Sequence, residues 1–205
     1  MGVGGMTPLI LIPARQLSEG RPCKNREAWP ALMACLTALP RAWPVVVVTD
    51  DPLLRTKTGS IDHDWTWHWR HMGPTHTVAE VARVTLEIWP LVDLVIILQP
   101  SSPTRHRADY VRSAVDHLET YQADSSVVSI VPWIGEPPSK ACTLAEDGTL
   151  QIPRVSPEPR QLQPRHYRRD GTVYAVRADY ARAGDLYGPR PVPLLVHPDD
   201  SVTLD

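Results

Sequence analysis

Apolar positions in this chain fall into short unbroken runs, separated by stretches in which they recur every three or four residues. Leu9–Ile12, Val45–Thr49, Asp93–Leu98 and Ser125–Val131 are such runs and predict buried strands. Their near-continuous Val, Ile and Leu content suits strands covered on both faces. The intervening stretches predict helices. One covers Glu27 to Leu39, interrupted near its start by Pro30; a second covers Thr75 to Trp89, with Thr75 or Thr77 as its N-cap; a third covers Arg107 to Tyr121. Alternation of this kind predicts an α/β fold with a mostly parallel sheet. The pattern changes after Pro132. Residues 132–165 are rich in Pro, Glu and Arg, with two short candidate strands, Ala141–Leu144 and Thr149–Ile152, flanking the turn Asp147-Gly148. This part reads as an excursion from the sheet, to which Thr172–Val176 and Pro191–Val196 return. There is no internal repeat and no low-complexity linker.

Composition narrows this picture. The 205 residues suit a single domain over 1–205, and 42% hydrophobic content is enough for a sizeable core. A formal net charge of −2 gives no global attraction for nucleic acid or an anionic membrane, so any anion binding must come from local basic loops. No apolar run is long enough for a membrane span, and Met1 to Thr7 lacks the basic-then-apolar pattern of a secretory signal. The three cysteines, Cys23, Cys35 and Cys142, are unclustered, which points to a reducing, cytoplasmic setting rather than a disulfide or zinc scaffold. Trp65, Trp67 and Trp69 alternate and so share one face of a strand, as core or dimer interface. His63, His68, His71 and His76 lack the spacing of a metal site.

Ligands of open parallel sheets bind beyond the carboxyl ends of the strands. The loops after the first three strands should therefore share one rim: Arg15–Asn25, Thr49-Asp50-Asp51 and Gln99–Arg105. The first of these is the most telling. It supplies charge from Arg15, Arg21 and Lys24, and directional donors from Ser18, Asn25 and the backbone around Gly20. A nucleoside triphosphate fits such a loop, although the Walker A pattern is absent.

The same loop, through Ala14, Arg15, Ser18, Gly20, Pro22, Lys24 and Asn25, resembles the A-R-x-x-S-x-G-x-P-x-K-N loop of the CMP-sialic acid synthetases (acylneuraminate cytidylyltransferases) and related sugar-acid cytidylyltransferases. Later segments follow in the family's order. Leu98 to Arg105 resembles L-Q-P-T-S-P-L-R. Arg160 to Tyr167, then Asp170, Gly171 and Tyr174, resemble R-Q-x-L-P-x-x-Y followed by N-G-x-x-Y. Asp199 to Asp205 resembles the segment containing D-I-D.

The resemblance implies the nucleotide-diphospho-sugar transferase fold, a Rossmann-like three-layer α/β/α sandwich with a mixed, mainly parallel sheet. It implies a homodimer in which residues 132–165 reach the partner. The implied reaction joins a 2-keto sugar acid to CMP from CTP and releases pyrophosphate. Arg15, Arg21 and Lys24 would neutralise the phosphates. Gln16, Ser18, Asn25 and, by a looser match, Arg70 would hold the nucleotide. Gln99, Arg160, Gln161, Asp170 and Tyr174 would seat the sugar acid, and Asp205 would ligate Mg²⁺. Three departures from the family's pattern fall where the resemblance puts the substrates: Glu19 stands where Lys is usual, Asp170 where Asn is, and Thr203 where Asp is; Gln163 also replaces the Leu of Leu-Pro. These departures leave two other readings open, a nucleotidyltransferase of this fold with another nucleotide or acceptor, and a non-catalytic binding relative.

Overall fold

The computed structural model describes residues 6–16, 24–57, 65–68, 76–104, 106–134, 141–151, 162, 164–202 and 204. The expected runs form strands β1 (Pro8–Ala14), β2 (Val45–Thr49), β4 (Leu94–Ile97) and β5 (Ser126–Pro132). The intervening helices are α1 (Lys24–Thr37), α3 (Val78–Ile88) and α4 (Arg107–Thr120). A short helix α2 (Pro52–Lys57) and strand β3 (Trp65–His68) lie between β2 and α3. The excursion holds the small hairpin β6 (Thr143–Leu144) and β7 (Leu150–Gln151), and the chain closes with β8 (Tyr167–Arg177), α5 (Ala178–Arg182) and β9 (Pro191–Leu195).

The main sheet runs β3-β2-β1-β4-β8-β5-β9. Neighbouring strands are parallel except at β8, which is antiparallel to both β4 and β5. Alternate residues of each strand enter different cores. Ile10, Ile12, Val45, Val47, Leu94 and Ile96 face α1 and α4, where they meet Leu32, Leu36, Val111 and Val115. Leu9, Leu11, Val46, Val48, Val95 and Ile97 face α3 and α5, against Val81, Leu86 and Ala181. Burial on both faces explains why these strands are continuously apolar, and it makes the molecule a three-layer α/β/α sandwich. No helix among the described residues is long and apolar enough to cross a membrane.

Local details follow from residue chemistry. Thr77 caps α3 with a full capping box: its hydroxyl accepts from the Glu80 amide at 3.2 Å, and the Glu80 carboxylate accepts from the Thr77 amide at 2.7 Å. Of the two expected caps, Thr77 is the one used. Pro30 lies inside α1, which nevertheless runs through it. Its missing N–H removes one helical bond, and the buried Trp29, Leu32 and Leu36 hold the helix on the sheet. The sequence places the return to the sheet at Thr172–Val176. Instead β8 begins at Tyr167 and is an interior strand; its first three residues are exposed and polar, which hides them from an apolar-run criterion. Trp65 and Trp67 fall on β3, the edge strand beside β2, while Trp69 lies outside the described residues.

Candidate active site

β1, β2, β4 and β5 point the same way, so their carboxyl ends form one edge of the sheet, and β8 enters from that edge. β1 and β4 are direct neighbours, and the Leu98 amide donates to the Leu11 carbonyl at 3.0 Å. The loops leaving these two strands therefore start from neighbouring strands at the same edge of the sheet.

The β1 side is braced by short polar contacts. The Asn25 side-chain amide donates to the Arg15 carbonyl at 2.7 Å, tying the first turn of α1 to the chain just beyond β1. The Gln16 amide donates to Asp50 Oδ1 at 2.6 Å. Arg26 pairs in bidentate fashion with the buried Asp51, at 2.5 and 2.8 Å, and Asp51 also accepts from the Leu53 amide. Burial opposes ionisation of Asp51, but the Arg26 guanidinium and the backbone donors outweigh it and hold the carboxyl below its usual range. Arg15, Gln16, Lys24 and Asn25 are thereby brought to one end of β1. Asn25 is nearly buried, and its N–H faces protein. Ser18, Arg21 and Arg70 lie outside the described residues.

On the β4 side, Gln99, Ser102, Arg168, Arg169, Asp170, Gly171 and Tyr174 surround an open cleft of about 480 Å³. Its wall is the contact between the Gln99–Thr104 turn and the Asp170–Thr172 bend of β8. Gly171 has φ 78°, and a Cβ there would fall 2.5 Å from Ser102 Oγ and 3.1 Å from Gln99 Oε1. Both the left-handed backbone and the close approach require glycine. Asp170 Oδ1 accepts the Thr172 amide at 3.1 Å and Oδ2 accepts the Thr172 hydroxyl at 2.5 Å. Because the Thr172 hydroxyl donates to Asp170, it accepts from the Thr104 hydroxyl at 2.8 Å. Asp170 thus shapes the bend with both oxygens. Burial raises the Tyr174 phenol above its ordinary pKa, opposed by the charge of Arg169.

Arg107 carries this wall, and sequence reasoning missed it. Its guanidinium is buried and donates to the carbonyls of Thr172 (2.6 Å), Gln99 (2.9 Å), Ser102 (2.8 Å) and Gly171 (3.2 Å). Desolvation lowers its pKa to about 10. A signal was present: a cation in the first turn of a helix opposes the helix dipole. His106 before it is left-handed at φ 53° and provides no side-chain cap. Arg107 occupies that unfavourable place because it bonds four carbonyls from two loops.

Gln99 and Tyr174 are therefore brought together, with Asp170 beside them; Arg160 and Gln161 lie outside the described residues. The closing segment also returns to this edge. The Tyr110 hydroxyl donates to Asp200 Oδ2 at 2.8 Å, and the Leu204 amide donates to the Ser101 carbonyl at 2.8 Å. Thr203 and Asp205 lie outside the described residues, and the described residues contain no cluster of three metal-ligating side chains. Cys35 and Cys142 are free thiols, and burial pushes Cys35 up to about 11.

No family model matches the chain, and no curated protein matches it in sequence. Solved structures do match in shape. A CMP:2-keto-3-deoxy-manno-octonic acid synthetase complexed with CTP aligns over 93% of this chain and 90% of its own, with TM-score 0.62 at 16% identity. A 4-diphosphocytidyl-2C-methyl-D-erythritol synthase from Anaerococcus prevotii DSM 20548 aligns over 98% and 92%, with TM-score 0.65 at 10% identity. A protein assigned as a nucleotide-diphospho-sugar transferase from Desulfovibrio desulfuricans G20 aligns over 93% and 80%, with TM-score 0.50 at 11% identity. The chain has the nucleotide-diphospho-sugar transferase fold. Two of the neighbours sharing it carry cytidine nucleotides in their names.

Proposed function

We propose that this chain is a cytidylyltransferase that transfers CMP from CTP to a 2-keto sugar acid of the sialic-acid type and releases pyrophosphate. The observation that carries the reading is the convergence of two sites on adjacent strands. The braced, basic ends of the Arg15–Asn25 loop lie beyond β1, and the Gln99–Tyr174 cleft lies beyond β4. In this reading a nucleotide on the first would meet an acceptor in the second, whose hydroxyl attacks the α-phosphorus. Catalysis of this kind is mainly positioning and charge stabilisation.

In this reading Arg15, Arg21 and Lys24 neutralise the triphosphate and the departing pyrophosphate. Gln16, Ser18, Asn25 and Arg70 form the nucleotide's seat, Asn25 by fixing the loop. Gln99, Arg160, Gln161 and Tyr174 contact the acceptor, and Asp170 fixes the Gly171 bend beneath it. Mg²⁺ on Asp205 belongs to the same proposal. One carboxylate suits that ion when phosphate oxygens and waters complete its shell, and the bond from Leu204 to Ser101 brings the preceding residue to this edge. The ion would offset charge on the phosphates. A cytoplasmic setting accords with the free thiols. A homodimer through residues 132–165 accords with the exposed Trp133, Ile134, Leu144, Leu150 and Leu162 there.

The test is pyrophosphate release from CTP and Mg²⁺ with a panel of 2-keto sugar acids. Release with at least one acid, and not with neutral hexoses, is expected. Release with none of them, or equal release from another nucleotide, contradicts the reading.

A further inference from the structure

We infer that Arg169, braced by Tyr187, is the residue with which the cleft selects an acceptor carrying a carboxylate; this deepens the proposed function and rests on it. Arg169 follows Arg168 near the start of β8, and both line the cleft with Gln99 and Tyr174. Neither makes an ion pair among the described residues. Asp170, the carboxylate lining the same cleft, has both oxygens engaged by Thr172. The cleft thus presents two cationic side chains whose charge no described side chain neutralises by direct pairing.

Arg169 differs from an ordinary surface arginine in being held. Its Nη1 donates to the Tyr187 hydroxyl, and its guanidinium lies 5.4 Å from the centre of the Tyr187 ring. Tyr187 in turn is fixed by its backbone. Its amide donates to Asp185 Oδ1 at 2.8 Å, and its carbonyl accepts from Ser125 Oγ at 2.7 Å and Ser126 Oγ at 2.6 Å. The next residue, Gly188, has φ 66°, and a Cβ there would fall 2.4 Å from Ser125 Cβ. The support therefore runs from the buried start of β5 through a tight turn to the phenol. One N–H is given to a neutral hydroxyl, so four donors and the full charge stay available. A pre-positioned planar fork pairs a carboxylate bidentately with little further loss of side-chain freedom.

The experiment is calorimetric titration of the full chain with N-acetylneuraminic acid and 2-keto-3-deoxy-manno-octonic acid, each against its neutral methyl ester, with CTP titrated separately. The expected result is an acid bound at least about tenfold more tightly than its ester, as loss of a charge-assisted bond implies. Arg169→Gln should abolish that preference while leaving CTP affinity within twofold. Arg169→Lys should restore part of it. Tyr187→Phe, which keeps the ring, should weaken the acid several-fold and leave the ester unchanged. Acid and ester bound alike by the wild type, neither bound at all, a preference that survives Arg169→Gln, or a loss falling on CTP instead would each overturn the inference. An acid preference that depends on Arg169 in a chain that does not bind CTP would keep the anion site and refute the cytidylyltransferase reading.

Discussion

Arg107 shows how one residue sets the geometry of a cleft it does not line. Four carbonyls from two loops converge on it, and each buried acceptor left unpaired costs on the order of 1–3 kcal/mol. Arg107→Met should therefore destabilise the fold by roughly 3 kcal/mol or more by the same arithmetic, read as a lower midpoint in urea. A loss below about 1 kcal/mol would mean that water or relaxation replaces the guanidinium. Arg26 and Asp51 make a second residue-scale prediction. The folded carboxyl titrates below its ordinary value, so the pair stabilises the protein above the unfolded carboxylate pKa. That contribution fades as pH falls through the lower folded pKa. Arg26→Met should remove about 3 kcal/mol at neutral pH, the low end for a buried pair because Arg26 is partly exposed. The difference between variant and wild type should shrink in acid. A difference independent of pH would show that packing, not charge, carries the contact.

Elements differ in how much of them the sequence discloses. β2 was legible residue for residue, because five consecutive β-branched residues buried on both faces leave no other reading. Thr77 was legible as a cap because the Glu80 partner stands three residues on. The first half of β8 was not. Tyr167, Arg168 and Arg169 are exposed, and what makes them a strand is pairing with β5, a contact 35 or more residues away in the chain. Helices α2 and α5, with six and five residues, are too short to show a period. The site follows the same rule. Gln99 and Tyr174 were legible through motifs, whereas Arg107 and Tyr187 act through backbone atoms and loop geometry that no local pattern records. Gly171 tests the element itself. Gly171→Ala forces a left-handed alanine and a Cβ against Ser102 Oγ. It should lower stability by about 1–3 kcal/mol and weaken acceptor binding. Ser102→Ala in the same chain should recover part of the loss; no recovery would place the whole effect in backbone strain.

At the scale of the molecule, the antiparallel insertion of β8 between β4 and β5 makes the cleft. It carries Arg168, Arg169 and Asp170 past the end of β4, and sets Tyr174 opposite its last residue, Ile97, to face the turn that follows it. The excursion before β8 leaves Ile134, Leu144 and Leu162 exposed at 71–83%, which accords with the proposed homodimer. Sedimentation should give about twice the 22.9 kDa of the chain, and Ile134→Asp with Leu162→Asp should shift it toward monomer. A monomeric wild type would overturn the proposed dimer.

The measurement that bears most directly on the account is calorimetric binding of CTP, with ATP, GTP and UTP alongside, each with and without Mg²⁺. The cytidylyltransferase reading predicts CTP bound at least about tenfold more tightly than the others, and more tightly with Mg²⁺. Arg15→Ala should sharply weaken that binding. No nucleotide bound, or no preference among the four, would contradict it and leave the fold serving another ligand.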